Sequence, residues 1–247
     1  MLITRCKTIY SQVKAEGKEL CRRSSFWIVL GVMMGLIGLD FVYVLNYTRD
    51  PNIMPVIFQD MALSLVLLSP YLIIKQIHRY TSDNRVLQLA HSVKESYWWW
   101  ATQYLASLAM MGYLLLPTLL FPLILTLLGQ PSWGVIVSGY LGLIVLHAVL
   151  TACIYTFMAL VRSVLLIYWG MYATIGLIWI YPQSQYLIWA KLSMEMQIIS
   201  VYDWVLPFFY GAIDIGTLKV VLIGTCIVMY VSARLTRRFG LIRNVFS

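Results

Sequence analysis

The three histidines are the first residues to consider, because imidazole serves both as a metal ligand and as an acid–base catalyst. His78, His91 and His147 are far apart in the chain, and they form neither an H-x-x-x-H pair nor a histidine–glutamate cluster. No metal site is therefore predicted. His147 falls inside a long apolar run, which leaves two interpretations: a functional intramembrane group, or a neutral histidine that hydrogen-bonds a neighbouring helix.

The acidic residues form no clear catalytic pattern either. Asp40 lies late in an apolar run, where it would line a cavity or lie near lipid headgroups, and Glu195, Asp203 and Asp214 are too widely spaced to be assigned as a catalytic pair. The chain has no G-x-S-x-G motif, and Gly17-Lys18 lacks the remainder of a phosphate-binding loop. We therefore predict no catalytic site, no cofactor and no ATP bound by this chain.

The elements that hold these residues are predicted to be membrane-spanning helices. The 247 residues are 61% hydrophobic and 11% charged, with a mean hydropathy of +0.79. The apolar runs approach the roughly 20 residues needed to cross a hydrocarbon core. We predict an all-α polytopic membrane protein with one domain, 1–247, and six transmembrane helices at about 26–45, 56–74, 97–128, 133–161, 164–181 and 218–233.

The distribution of basic residues predicts the orientation of these spans. With both termini in the cytoplasm, all of the 18 Lys and Arg residues except Arg49, Lys191 and Lys219 lie on the cytoplasmic side. The net charge of +8 then reflects a basic face beside anionic lipid headgroups, so membrane lipids are expected partners and nucleic acid is not. The predicted spans contain no cluster of charged residues that would indicate an ion path.

Three segments outside the spans show a pattern of their own. Residues 1–25 predict a cytoplasmic amphipathic elbow helix at the membrane surface, although a solvated basic tail is the alternative. Residues 75–96 form a cytoplasmic segment in which 83–95 has helical periodicity, followed by Trp98, Trp99 and Trp100 as a membrane anchor. Residues 183–216 are apolar but interrupted, which predicts short helices that dip into the outer leaflet as an extracytoplasmic cap.

The first predicted span carries a face of small residues. Gly31, Gly35 and Gly38 follow the G-x-x-x-G spacing that allows close approach of helices. Packing within one chain and packing across a dimer both satisfy this pattern.

The order of these elements resembles the permease subunits of type-2 exporters of the ATP-binding-cassette class, above all the six-span gliding-motility branch. The resemblance covers the whole chain: KELCRRSSFW enters the first span, LLGQPSWG joins the third and fourth, and LVRS follows the fourth. The run from Phe208 to Asp214 is similar to the pattern F-x-x-G-x-I-D of the branch, and 86–89 and 104–106 are similar to parts of its coupling segment. The Gly-Thr and Pro-Val pairs of that segment have no clear equivalents here.

The resemblance implies a membrane-spanning permease of a bacterial inner membrane that forms half of a translocation path. It implies a second permease copy or a homologous permease, and separate ATPase subunits that would bind ATP and Mg. The coupling contacts would come from Arg85, Gln88, Lys94 and Glu95, for which a solvated helix face is the alternative. Glu195, Asp203, Gly211 and Asp214 would belong to the cap.

Two other functions are compatible with the sequence. An intramembrane lipid or glycan transferase would need polar groups that converge on one pocket. A non-transporting membrane scaffold would need no ATP hydrolysis by a partner.

Overall fold

The computed structural model describes residues 22–47, 53–82, 93–128, 132–161, 163–175 and 201–239, together with the single positions 11, 13, 14 and 19. All regular secondary structure in these ranges is helical, as the sequence predicts. Most of the elbow 1–25, much of the surface helix 83–95 and the first half of the cap fall outside the described residues.

Eight α-helices and one 3-10 turn make up the described part of the chain. The helices are α1 (Ser24–Tyr47), α2 (Met54–Ser82), α3 (Val93–Leu115), α4 (Leu120–Leu128), α5 (Trp133–Leu160), α6 (Val164–Ile175), α7 (Val201–Phe209) and α8 (Ile215–Phe239). The architecture is that of an integral membrane protein, because five segments are long and apolar enough to cross a membrane: Ser24–Asn46, Met54–Gln76, Trp100–Leu127, Trp133–Met158 and Ile215–Leu235. The predicted fifth span, 164–181, is described only as the 12-residue helix α6, and its remainder lies outside the described residues.

The third predicted span is not one continuous α-helix. It is divided by the 3-10 turn Pro117–Leu119 between α3 and α4. Pro117 has no N–H to donate, and its ring would clash with the carbonyl one turn earlier in a regular helix. Thr118 compensates in part, since its hydroxyl donates to the Leu115 carbonyl at 2.7 Å. The extra length of the span is therefore used for a break in the helix rather than only for tilt.

Helix α5 is the centre of the bundle and contacts α2, α3, α6, α7 and α8. It runs antiparallel to α3, as shown by ring contact between Trp100 and Tyr155 at one end and by the Thr118–Tyr140 hydroxyl pair at the other. By contrast, α1 packs mainly on α2. It also makes a ring contact with α4, between Phe41 and Phe121.

The bundle has two chemically different ends. We call the end with Arg22, Arg23, Lys75 and Arg234 the basic end, and the opposite end, where α7 packs, the α7 end. At 29 residues, α2 is about 43 Å long, which exceeds the roughly 30 Å of a hydrocarbon core. Since its apolar part starts at the α7 end, the excess length projects at the basic end.

Candidate functional site

A buried polar seam between α3 and α5 is the most developed functional feature of the described residues. His147 is fully buried at the middle of α5. Its Nε2 lies 3.1 Å from the backbone oxygen of Ser107 and 3.2 Å from the Ser107 hydroxyl. The carbonyl can only accept, so Nε2 carries the proton in this arrangement. Of the two interpretations of His147, the structure therefore shows the one in which it hydrogen-bonds a neighbouring helix.

The seam continues from His147 by about one turn toward the basic end. Thr151 lies with its hydroxyl 3.3 Å from that of Ser107 and donates to the His147 carbonyl at 2.8 Å. Tyr104 donates from its hydroxyl to the Ala148 carbonyl at 3.2 Å. The Tyr104 hydroxyl also interacts with Thr225 of α8, so the seam joins three helices. In hydrocarbon such bonds hold helices together without fixing them rigidly, because each contributes only about 0.6 kcal/mol on average.

At the basic end, the seam leads to the segment for which ATPase coupling was predicted. Gln76 of α2 and Gln103 of α3 are both buried, with Nε2 and Oε1 3.5 Å apart. Beyond this pair α2 continues to Ser82, and α3 begins at Val93. Both helices therefore extend past the membrane-spanning part of the chain at this end.

The four predicted coupling residues occupy two kinds of position. Lys94 and Glu95 lie in the first turn of α3. Arg85 and Gln88 fall outside the described residues. The sequence predicts a surface helix over 83–95, whereas the structure places 93–95 in α3, where they are continuous with a spanning helix.

At the opposite end, α7 packs deeply into the bundle. Phe208 and Phe209 are fully buried, and the Phe208 carbonyl accepts a hydrogen bond of 2.7 Å from the Ser138 hydroxyl of α5. Gly142 of α5 makes room for this contact, since a Cβ there would lie 2.7 Å from Phe208 Cβ. Gly139 makes room for α2 instead, because a Cβ there would clash with the Phe58 ring. Gly142 is nine residues into α5, so α7 reaches about 13 Å along that helix.

The predicted cap residues have distinct structural roles. Asp203 is half-buried in α7, and Gly211 forms the turn after α7 with φ +93°, a left-handed conformation that favours glycine. Asp214 caps α8, because its carboxylate accepts hydrogen bonds from the Thr217 hydroxyl at 2.6 Å and from the Gly216 N–H at 2.8 Å. These bonds, led by the one from the Thr217 hydroxyl, hold the pKa of Asp214 below its ordinary value of 3.8. Glu195 lies outside the described residues.

A pair of carboxyl groups between α1 and α2 was missed by the sequence reasoning, which found no charge cluster in the spans. The Asp40 and Asp60 side chains hydrogen-bond each other near the α7 end. Two carboxyl groups can hydrogen-bond each other only when at least one of them is protonated. The available signal was the presence of Asp60 inside the second predicted span, since an ionisable residue in lipid needs a partner.

The glycines of α1 do not pack within the described part of this chain. A Cβ at Gly31, Gly35 or Gly38 would meet no heavy atom within 4 Å. The neighbouring side chains of Val32, Leu36 and Leu39 are exposed as well. Of the two predicted uses of this face, internal packing therefore receives no support from the described residues.

The polar groups of the seam form links between helices and include no metal-binding cluster within the described part of the chain. Among the described residues, no three His, Cys, Asp or Glu side chains lie close enough together to hold a metal ion. The seam instead consists of neutral hydroxyl, imidazole and amide groups that connect one helix to the next. No protein-family model matches the chain, and no curated protein is significantly similar to it.

Proposed function

We propose that the protein is the membrane-spanning permease subunit of an ATP-binding-cassette transporter, and that it forms half of a translocation path. The observation that carries this proposal is the continuity of α2 and α3 from the projecting basic end into the bundle centre. The predicted coupling segment, 75–96, connects these two helices. A displacement of this segment by a bound partner would therefore be transmitted to the membrane domain. The resemblance in element order supports the same function, and in that class the ATPase and its ATP and Mg belong to separate subunits.

A mechanical path from one end to the other supports this proposal. Movement of α3 would act on α5 through Ser107 and His147, whose hydrogen bonds cross between the two helices. Helix α5 in turn holds α7 through Ser138 and Gly142. Packed elements that move as rigid bodies are the usual means by which such domains alternate between states. In this arrangement α7 would close the path on the extracytoplasmic side of a bacterial inner membrane.

The docking role of the basic end is tested by charge reversal. Arg85→Glu and Lys94→Glu together should abolish co-purification of an ATPase subunit, because both charges lie in the proposed docking segment. The control is Lys219→Glu, which reverses one exposed charge in the second turn of α8, at the α7 end. ATPase binding that survives the double reversal would refute the docking assignment. ATP-dependent substrate movement in liposomes separates a permease from a scaffold.

An intramembrane lipid or glycan transferase remains the second candidate. The Asp40–Asp60 pair favours it, since paired carboxyls can serve as acid and base. If the chain is a transferase, Asp40→Asn or Asp60→Asn should abolish turnover. If the chain is a permease, ATP-driven transport should instead depend on the proposed docking segment, 75–96.

A further inference from the structure

Two exposed strips of side chains, one on α2 and one on α8, share the same order of residue types. On α2, Leu63, Leu67 and Tyr71 are all exposed and are followed after one more turn by exposed Lys75. The helical spacing of four residues keeps these side chains next to each other along one oblique line. The result is an apolar strip that ends in a single positive charge at the basic end.

The strip on α8 repeats this order with different residues. Ile223, Ile227 and Tyr230 are exposed, and Arg234 follows Tyr230 by four residues. Arg234 Nε donates to the Tyr230 hydroxyl at 3.0 Å, and its guanidinium carbon lies 5.4 Å from the ring centroid. On α2, Lys75 Nζ donates to the Tyr71 hydroxyl at 3.1 Å and lies 5.3 Å from that ring.

The two cations lie at similar distances from the starts of their helices. Lys75 comes 21 residues after the start of α2 and Arg234 comes 19 residues after the start of α8, and both helices start at the α7 end. At 1.5 Å per residue, each charge is about 30 Å from the start of its helix, which equals the thickness of a hydrocarbon core. Each cation is therefore held at the level of the headgroups, above a strip that faces the acyl chains.

We propose that these strips are two binding sites for an anionic phospholipid, with the lipid phosphate on Lys75 or Arg234 and an acyl chain along the apolar residues. The positive charges of Lys75 and Arg234 complement the negative charge of a lipid phosphate. Neither cation forms an ion pair with a carboxylate within the described ranges. The tyrosine holds each cation in place, which lowers the entropy lost when the phosphate binds. On α2 the strip is also flanked by α6, since the Tyr172 hydroxyl donates to the Leu67 carbonyl at 3.0 Å.

The test is a lipid titration of the purified chain in detergent, followed by native mass spectrometry. The probes are phosphatidylglycerol and phosphatidylcholine with identical acyl chains. We expect two phosphatidylglycerol molecules to bind more tightly than phosphatidylcholine does. Lys75→Gln and Arg234→Gln should each weaken one of these sites about fivefold, the effect expected for one basic residue at an anionic surface.

Matched variants keep the test specific. Lys219→Gln removes one charge from exposed α8 near its opposite end, where no tyrosine lies one turn away, and should leave phosphatidylglycerol binding unchanged. Lys75→Arg and Arg234→Lys should retain binding, which excludes misfolding as the cause of a loss. Equal losses for Lys219→Gln and Lys75→Gln, or equal binding of the two lipids, would overturn the proposal. The measurement needs no ATPase, so its outcome is independent of the permease assignment.

Discussion

The contact between α5 and α7 allows a sharp prediction, because it depends on the absence of a single methyl group. Gly142→Ala should displace α7 from the bundle. The new Cβ would lie 2.7 Å from Phe208 Cβ and 3.3 Å from Val205 Cγ1. The nearer of these atoms is attached directly to the backbone of α7, so a side-chain rotation cannot relieve the clash.

The size of the effect follows from two opposing terms. Overpacking of a well-packed site costs about 1–3 kcal/mol. Replacing glycine by alanine inside a helix contributes about 0.5–1 kcal/mol in favour of folding. Gly31→Ala in α1 provides the matched control, because its Cβ meets nothing within 4 Å and only the helix term remains. The difference between the two variants therefore isolates the clash with α7.

Hydrogen exchange of the α7 backbone amides, which every residue of 201–209 except Pro207 carries, measures this difference locally. Relative to Gly31→Ala, the Gly142→Ala variant should exchange about 5- to 150-fold faster in α7, which corresponds to about 1–3 kcal/mol. Exchange in α2 should remain close to that of the control. The reasoning would be refuted by α7 amides that exchange equally fast in both variants, since α7 would then not be seated on Gly142.

Three further predictions concern the polar groups. Asp214→Ala should accelerate exchange in the first turn of α8. Because the pKa of Asp214 is lowered, its capping contribution to stability is complete above pH 3.8. This contribution is lost as the pH falls through the lower folded-state pKa. A carboxyl NMR titration should therefore show an inflection below pH 3.8. Ser107→Ala should destabilise the chain by about 0.6 kcal/mol and at most about 1.7 kcal/mol. The control is Thr126→Ala, because the Thr126 hydroxyl bonds only a carbonyl of its own helix. It should destabilise the chain less than Ser107→Ala does. Equal destabilisation by the two variants would argue that the seam does not hold α3 and α5 together. Asp60→Leu should lower the free energy of unfolding by about 1 kcal/mol, because it leaves Asp40 without its partner. Asp60→Asn keeps a hydrogen-bond donor for Asp40 and should lower it less. Equal decreases in the two variants would show that the pair does not stabilise the packing of α1 on α2.

The helical class and most span positions follow from the sequence because they depend on local properties. A run of apolar residues long enough to cross lipid must form a helix, since its backbone has no water with which to bond. The fourth predicted span, 133–161, accordingly matches α5 almost residue for residue. The break at Pro117 could not be predicted from proline alone, because Pro70 lies inside the continuous helix α2, whereas Pro117 begins a 3-10 turn.

The placement of single side chains depends on which helices meet, and that is a property of the whole bundle. A glycine in an apolar helix is locally the same at positions 31 and 142, yet Gly31 faces open space and Gly142 receives Phe208. Likewise, Asp40 and Asp60 are 20 residues apart, and they become partners only because α1 packs antiparallel on α2. The sequence by itself therefore determined that the chain enters a membrane as helices and where most of them lie. The tertiary structure alone decided which polar and small residues face one another, because side-chain partners in lipid are chosen by the packing of distant segments.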